Sequence, residues 1–535
     1  MIQSPPAVDD APAEEPDRVS GKITKWEVER AEFWRSKGSK IALRNLLISI
    51  PCLLFAFAIW LYWSIIIVQM QNLNFPFSTA QLYTLPAIAG LAGATLRIPN
   101  SFMIAISGGR NVIAVTTALL ILPAAGVGIA LQNVHTSYTT FAALAALSGI
   151  GGGAFASSMS NISFFFPKRM QGLSLGLNAG LGNLGVSVMQ LLLPWVMTFA
   201  VFGALSGDGR RLPQELGAMS VWIQNSGLVW VPALLVFSIL AFLLMNNLPM
   251  HRVGSAPVAI GKMLWLESMG FVGAAVGIGL LLGPTFGLPD LVKVFAVLAI
   301  TIGVTLLVMR YVTPGPVREN LAEQFVIFRM KHNWVMTWLY TMTFGSFIGY
   351  SAAFPKLIQD VFGTLPDGAI NSNAPNPLMY AWLGPLVGSL VRPVGGWLSD
   401  KLGGARVTQW DTVIMIGSAL GVALFVRLAG AADSPDVYWW PFFWLFMLLF
   451  VATGIGNGST FRMVPIIFPP KLAGPVLGWT SAVAAYGAFL IPRIFGGQIE
   501  SGTPEYALYG FAGYYVSCLI VNWWFYARKG AEVPC

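Results

Sequence analysis

Apolar residues in this chain gather into long, nearly uninterrupted runs, and polar residues collect in the short stretches between them. The pattern predicts fourteen helical spans, near 45–70, 80–106, 111–131, 140–164, 172–201, 227–247, 262–283, 290–312, 332–355, 377–398, 408–430, 438–463, 472–495 and 505–527. Each run is long enough to carry an α-helix across a hydrocarbon layer about 30 Å thick. None has the alternation of a membrane barrel strand. An even number of spans leaves both termini on one side.

One stretch departs from simple hydrophobicity. Gly149–Ser187 reads as two glycine-rich apolar segments around a basic turn, Lys168–Arg169. Gly172, Gly176 and Gly180 recur every four residues, with Gly182 and Gly185 beyond. That spacing predicts one smooth helix face that lets a neighbouring backbone approach closely. Such a segment is a poor helix in water, but in lipid the backbone has no other hydrogen-bond partner.

Composition fixes the class. Of 535 residues, 56% are hydrophobic and 10% charged, with mean hydropathy +0.68, whereas soluble domains are about one quarter charged. The fold expected is an all-α polytopic membrane protein embedded in lipid. Cys52, Cys518 and Cys535 are too far apart for a metal or redox motif. No nucleophile–base pair, metal cluster or cofactor loop stands out, so no enzyme, metal or cofactor is expected. The net charge of +8 raises nucleic acid as a partner. Placement argues for topology instead: 22 of the 31 Lys and Arg fall on the side of the termini. By the positive-inside rule both termini are cytoplasmic. Residues 1–20 are expected to be disordered, and the acidic start lacks a signal peptide. Residues 21–44, with Trp26, Phe33 and Trp34, either lie on the membrane surface or form a solvated tail.

The chain repeats itself. Leu96-Arg97-Ile98-Pro99 in the second span is matched by Val391-Arg392-Pro393 in the tenth, and a glycine turn with a basic residue follows each. This predicts two six-helix halves facing one another across a central site. The expected organisation is a tail at 1–44, a first half at 45–249, an inserted helix pair with a linker at 250–330, and a second half at 331–535. The pair is expected to be peripheral.

Arg97 and Arg392 carry the chemistry. An arginine at mid-membrane costs at least about 2.5–3.5 kcal/mol. No Asp or Glu is expected in the middle of the twelve spans of the two halves. Glu267 and Asp290 are placed at the ends of the inserted pair, and His135, His251 and His332 in loops or at span ends. The arginines then either bond backbone carbonyls near proline kinks or take up a small anion through their planar forks.

Gly396-Trp397-Leu398-Ser399-Asp400-Lys401-Leu402-Gly403-Gly404-Ala405-Arg406 matches the loop motif of the major facilitator superfamily, G-x-L-x-D-x-x-G-G-x-R. The first-half copy at Ser107–Arg110 lacks the Asp. The runs FASSMSNISFFFPK, GLNAGLGNLGVSVMQ, LRIPNSFM, TFGSFIGYSAAF and ITKW…FWRSKGSKIALRNL resemble the nitrate/nitrite porter family of that superfamily, the NarK-like proteins. The resemblance runs from about Ile23 to the C-terminus, except for 250–325. It implies a transporter of the bacterial inner membrane, working as a monomer on nitrate and nitrite. It also implies that Arg97 and Arg392 grip the anion, that Asn183 and Tyr340 lie beside it, and that Phe155 and Phe461 sandwich its plane. Gly180, Gly182 and Gly185 belong to the family's fifth-span motif, and Gly396, Asp400, Gly403 and Arg406 to the gate. The chain departs from the family at Ala179, Ala484 and Ala488, where glycines are expected, at Arg462, where glutamine is expected, and in its two extra spans. Two unpaired guanidiniums and no titratable group at mid-membrane favour nitrate/nitrite exchange. Proton-coupled uptake is the alternative, with a non-transporting nitrate sensor a distant third.

Overall fold

The computed structural model describes Ile23 and residues 25–535, apart from 215–217, 250–252, 285–286, 288, 316–317 and 320–324. The segment 1–20 and His251 lie outside the described residues. Fourteen long helical stretches follow one another: α1 (Ala31–Asn72), α2 (Thr79–Ser107), α3 (Gly109–Ala130), α4 (Tyr138–Phe165), α5 (Lys168–Val196), α6 (Asn225–Leu244), α7 (Ala256–Leu282), α8 (Asp290–Tyr311), α9 (331–362), α10 (377–402), α11 (Gly404–Gly430), α12 (Trp439–Ile467), α13 (470–500) and α14 (504–527). Ten stretches among the described residues are long and apolar enough to cross a membrane. The remaining four are α2, α9, α10 and α14, and three of these hold Arg97, Tyr340 and Arg392.

Several helices run past the limits that hydropathy predicts, and this relocates the acids. α7 begins at Ala256, so Glu267 sits at mid-helix and buried rather than at a span end. α9 continues to Phe362 and takes Lys356 and Asp360 inside, where they pair beside the Tyr83 ring. α11 begins at Gly404, which buries Asp411 two turns in. A charged residue ends a run of hydropathy but need not end a helix, since intrahelical bonding is the backbone's only option in lipid.

Local expectations are also revised. The segment leading into α1 is docked on the protein: the Trp26 indole donates to the Phe164 carbonyl at 2.9 Å, and Trp26, with Trp34 at the start of α1, packs on Phe165 and Phe166. The aromatic end of α4 gives it an apolar dock. On α5 the close approach belongs to Gly182 and Gly185, which meet Leu53 and the Leu54 carbonyl of α1, while Gly176 and Gly180 face open space. The inserted pair is not wholly peripheral either. α7 lies along α2, and α8 covers it from outside, with Thr301 and Thr305 seated on Gly277 and Gly273.

The repeat is visible in the backbone. Gly108 ends α2 with φ +76° and Gly403 ends α10 with φ +90°, and the next helix starts immediately in each case. At the end of the bundle away from the termini, polar contacts join α1–α6 to α9–α14. Gln359 donates to Asn72, Ser187 to the Trp382 carbonyl, Gln190 to the Ser351 carbonyl, and Ser78 and the Ala80 N–H to Glu500.

Gly403→Ala is expected to cost about 1–2 kcal/mol, the penalty of a left-handed residue with a Cβ, and to lower the apparent thermal midpoint of the purified protein. Gly396→Ala, which points into open space within a helix, should leave the midpoint unchanged or higher.

Candidate functional site

Arg97 sits in the middle of α2, two residues before Pro99, and is fully buried. Its Nε donates to the Gly152 carbonyl of α4 at 3.0 Å and its Nη1 to the Ser481 carbonyl of α13 at 3.2 Å. The glycine run on α4 lets the guanidinium come this close to backbone. Its Nη2 has no partner. Aromatic faces surround the cation: its central carbon lies 4.7 Å from the Phe155 ring, 5.2 Å from Phe344 and 5.3 Å from Trp60.

Arg392 occupies the corresponding place on α10, just before Pro393, and is half-buried. Its Nη2 donates to the Tyr340 hydroxyl at 3.4 Å, a long bond, and its Nη1 has no partner. Phe461 of α12 faces it at 5.4 Å. The two arginines are close enough for their charges to act on each other, with Tyr340 within range of both. Among the described residues, no carboxylate forms an ion pair with either.

The rings link the two cations. Phe155 stacks on Phe344 (6.2 Å, 26°), Phe344 on Tyr340 (5.7 Å, 8°), and Tyr340 leans on Phe461 (6.0 Å, 47°). Phe344 was not among the expected residues, although it lies one helical turn beyond Tyr340. Tyr340 directly precedes the π-helical segment Thr341–Gly345 of α9, and Phe344 lies within it. A π-bulge inside an α-helix is a frequent mark of a functional site. Gly345 and Gly487 bring this segment against α13.

The expected residues therefore come together in part. Arg97, Arg392, Tyr340, Phe155 and Phe461 form one cluster. Asn183 is buried on α5 with its Oδ1 unpartnered, but it is not hydrogen-bonded to either guanidinium. Asp400 pairs with Arg462 of α12, so the arginine that departs from the expected glutamine supplies the partner of the motif's carboxylate. Ala484 and Ala488 also find an explanation. A Cβ on Gly345 would come within 2.9 Å of the Ala484 carbonyl, and one on Gly90 within 2.3 Å of the Ala488 backbone. The small residue stands on the facing helix. Sequence reading also missed Asp411, whose two carboxylate oxygens are buried without a partner near Gly456 and Thr343.

Among the described residues, Arg97 Nη2 and Arg392 Nη1 are buried N–H groups without an acceptor, on two cations joined by aromatic rings. Buried donors are almost always satisfied, and a charged donor left unpaired is especially costly.

No family model matches the chain. It is 39% identical over 516 residues to the Thermus thermophilus protein named "Probable nitrate/nitrite antiporter NarK2", covering 96% of this chain and 98% of that one. It is 36% identical over 527 residues to the Escherichia coli "Nitrate/nitrite transporter NarU", covering 94% and 96%. Among solved structures, the fold is that of a proton-dependent oligopeptide family transporter (TM-score 0.56, 16% identity, 89% of this chain and 99% of that one). The Escherichia coli xylose transporter XylE also shares it (TM-score 0.52, 15% identity, 90% and 97%).

The Asp400–Arg462 pair should behave as one unit. A double-mutant cycle with Asp400→Asn and Arg462→Gln on thermal unfolding is expected to give a coupling of about 0.2–1 kcal/mol, as for an exposed pair.

Proposed function

The chain belongs to the nitrate/nitrite porter family of the major facilitator superfamily, and from that premise we propose that it carries nitrate and nitrite across a bacterial inner membrane, one anion in exchange for the other. The observation that carries this reading is the pair of guanidiniums with donors to spare and no carboxylate against them. Nitrate is flat, monovalent and weakly hydrated. The Nη2 of Arg97 and the Nη1 of Arg392 bind its oxygens, and the faces of Phe155, Phe344 and Phe461 suit its plane. Tyr340 steadies the Arg392 fork, and Asn183 of α5 lies beside the anion.

Exchange follows from charge. Without an anion, two like charges face each other in a low-dielectric space, where their repulsion is much stronger than in water. A bound anion offsets part of that charge, so the halves at 45–249 and 331–535 rock over it far more readily when loaded. The motif Gly396–Arg406, which spans the end of α10 and the turn at Gly403, with Asp400 held by Arg462, closes the terminal end, and both termini are cytoplasmic. The carrier works as a monomer. Its relatives and structural neighbours are transporters, not enzymes.

One observation favours the second reading, proton-coupled uptake: Glu267 and Asp411 are buried carboxyls within spans, and intramembrane carboxyls are the usual proton carriers of transporters. Neither touches the arginine cluster through a hydrogen bond.

Arg97→Lys and Arg392→Lys are each expected to cut nitrate/nitrite counterflow in proteoliposomes by about 100-fold or more, the scale of a misplaced binding group. Lysine keeps the charge but not the planar fork. Tyr340→Phe, which loses only a long hydrogen bond, should raise the nitrate KM a few-fold, as neutral bonds of about 1 kcal/mol do. Near-normal flux in both lysine variants contradicts the assignment.

A further inference from the structure

The geometry points to a role for the inserted helix α7 in anion binding: we propose that Glu267 is a positioning residue that holds Arg97 in place through Asn100. The inference rests on Arg97 being an anion ligand. Asn100 lies one turn after Arg97 on α2 and is buried. Its Nδ2 donates to Glu267 Oε2 at 2.9 Å and to the Leu96 carbonyl at 2.9 Å.

Asn100 also abuts α4, where a Cβ on Gly153 would come within 2.9 Å of the same Nδ2. The preceding glycine, Gly152, lends its carbonyl to Arg97 Nε. Asn100 and Arg97 are thus lodged against consecutive glycines of α4, and Glu267 accepts from the Asn100 Nδ2 that lies against Gly153. The fit of α7 on α2 is close at that level. A Cβ on Gly270 would lie 2.8 Å from the end of the Leu96 side chain and 3.0 Å from the Pro99 ring, residues on either side of Arg97, so these must give way to a larger residue there.

A structural filler does not account for Glu267. A carboxyl at the middle of a membrane helix is costly, and this one has a neutral amide as its hydrogen-bond partner and one oxygen, Oε1, with none. Leucine would cover α2 without that cost. What the carboxyl supplies is an acceptor that fixes the Asn100 amide, and with it the register of α2 against the Gly152 carbonyl that orients the guanidinium. The extra pair thus acts as a brace for one of the two anion ligands.

The test uses the full chain in proteoliposomes, with nitrate KM and maximal exchange rate measured separately and Arg97→Lys as reference. Glu267→Leu and Asn100→Leu are each expected to raise the nitrate KM roughly tenfold, equivalent to about 1.4 kcal/mol, with little change in maximal rate. Glu267→Gln keeps an acceptor oxygen and should retain the wild-type KM. The double leucine variant should be no worse than either single one, since both remove the same contact. Gly270→Ala reaches the same end by pushing α7 off Leu96 and Pro99, and it carries the test if Glu267→Leu is not recovered folded. An unchanged KM in Gly270→Ala and in folded Glu267→Leu, while Arg97→Lys still abolishes exchange, overturns the proposal. So does a loss in Glu267→Gln equal to that in Glu267→Leu. Normal exchange by Arg97→Lys overturns the arginine assignment itself, and the two failures are thereby distinguished.

Discussion

A guanidinium buried at mid-membrane must place five N–H donors and one charge where neither water nor lipid accepts them. This bundle holds one such arginine fully buried, Arg97, and a second half-buried, Arg392, and among the described residues neither is paired with a carboxylate. Two donors of Arg97 are met by carbonyls of α4 and α13, one donor of Arg392 is met by a tyrosine hydroxyl, and the charge is spread over ring faces. Each of these solutions is partial. Cation–π contacts contribute roughly 0.5–2 kcal/mol each, well short of what an ion pair in low dielectric supplies. One N–H group on each arginine is left without a partner among the described residues, and in the proposed mechanism the anion meets that need.

The surrounding helices serve that arrangement. The α4 glycines admit Arg97 to a backbone carbonyl. The π-segment of α9 contains Phe344 and follows Tyr340, and their rings lie nearly parallel between the two cations. α13 must pass close to both α2 and α9, and it does so through small residues on whichever side of the contact is available: Gly90 under Ala488, Gly345 under Ala484, and Gly487 against the Gly345 carbonyl. Packing between membrane helices depends on such close approach rather than on a hydrophobic drive. A glycine lost from one helix is therefore tolerated when its neighbour holds one.

Much of this was legible in the sequence because lipid leaves so few options. Run length gave the helices and their order, and the repeated Arg–Pro elements located the two cations. What escaped were residues whose meaning depends on a partner from elsewhere in the chain. Glu267, Lys356, Asp360 and Asp411 look like span ends on a hydropathy scale, yet each is buried within a helix, with Asn100 for Glu267 and a mutual ion pair for Lys356 and Asp360. Phe344 reads as core until Tyr340 and Arg97 are placed beside it. The four-residue glycine spacing on α5 misled for the same reason: Gly176 and Gly180 meet nothing, and the face that packs is set by where α1 lies.

The central claim is that the anion itself completes the charge balance, so that the carrier crosses when loaded. Labelled-nitrate uptake into proteoliposomes with three interiors tests it most directly: empty, nitrite-loaded, and empty with an inward proton gradient. The account predicts uptake that requires internal nitrite and ignores the proton gradient. Uptake into empty vesicles that follows the proton gradient contradicts it, and would assign the balancing charge to a proton on one of the buried carboxyls.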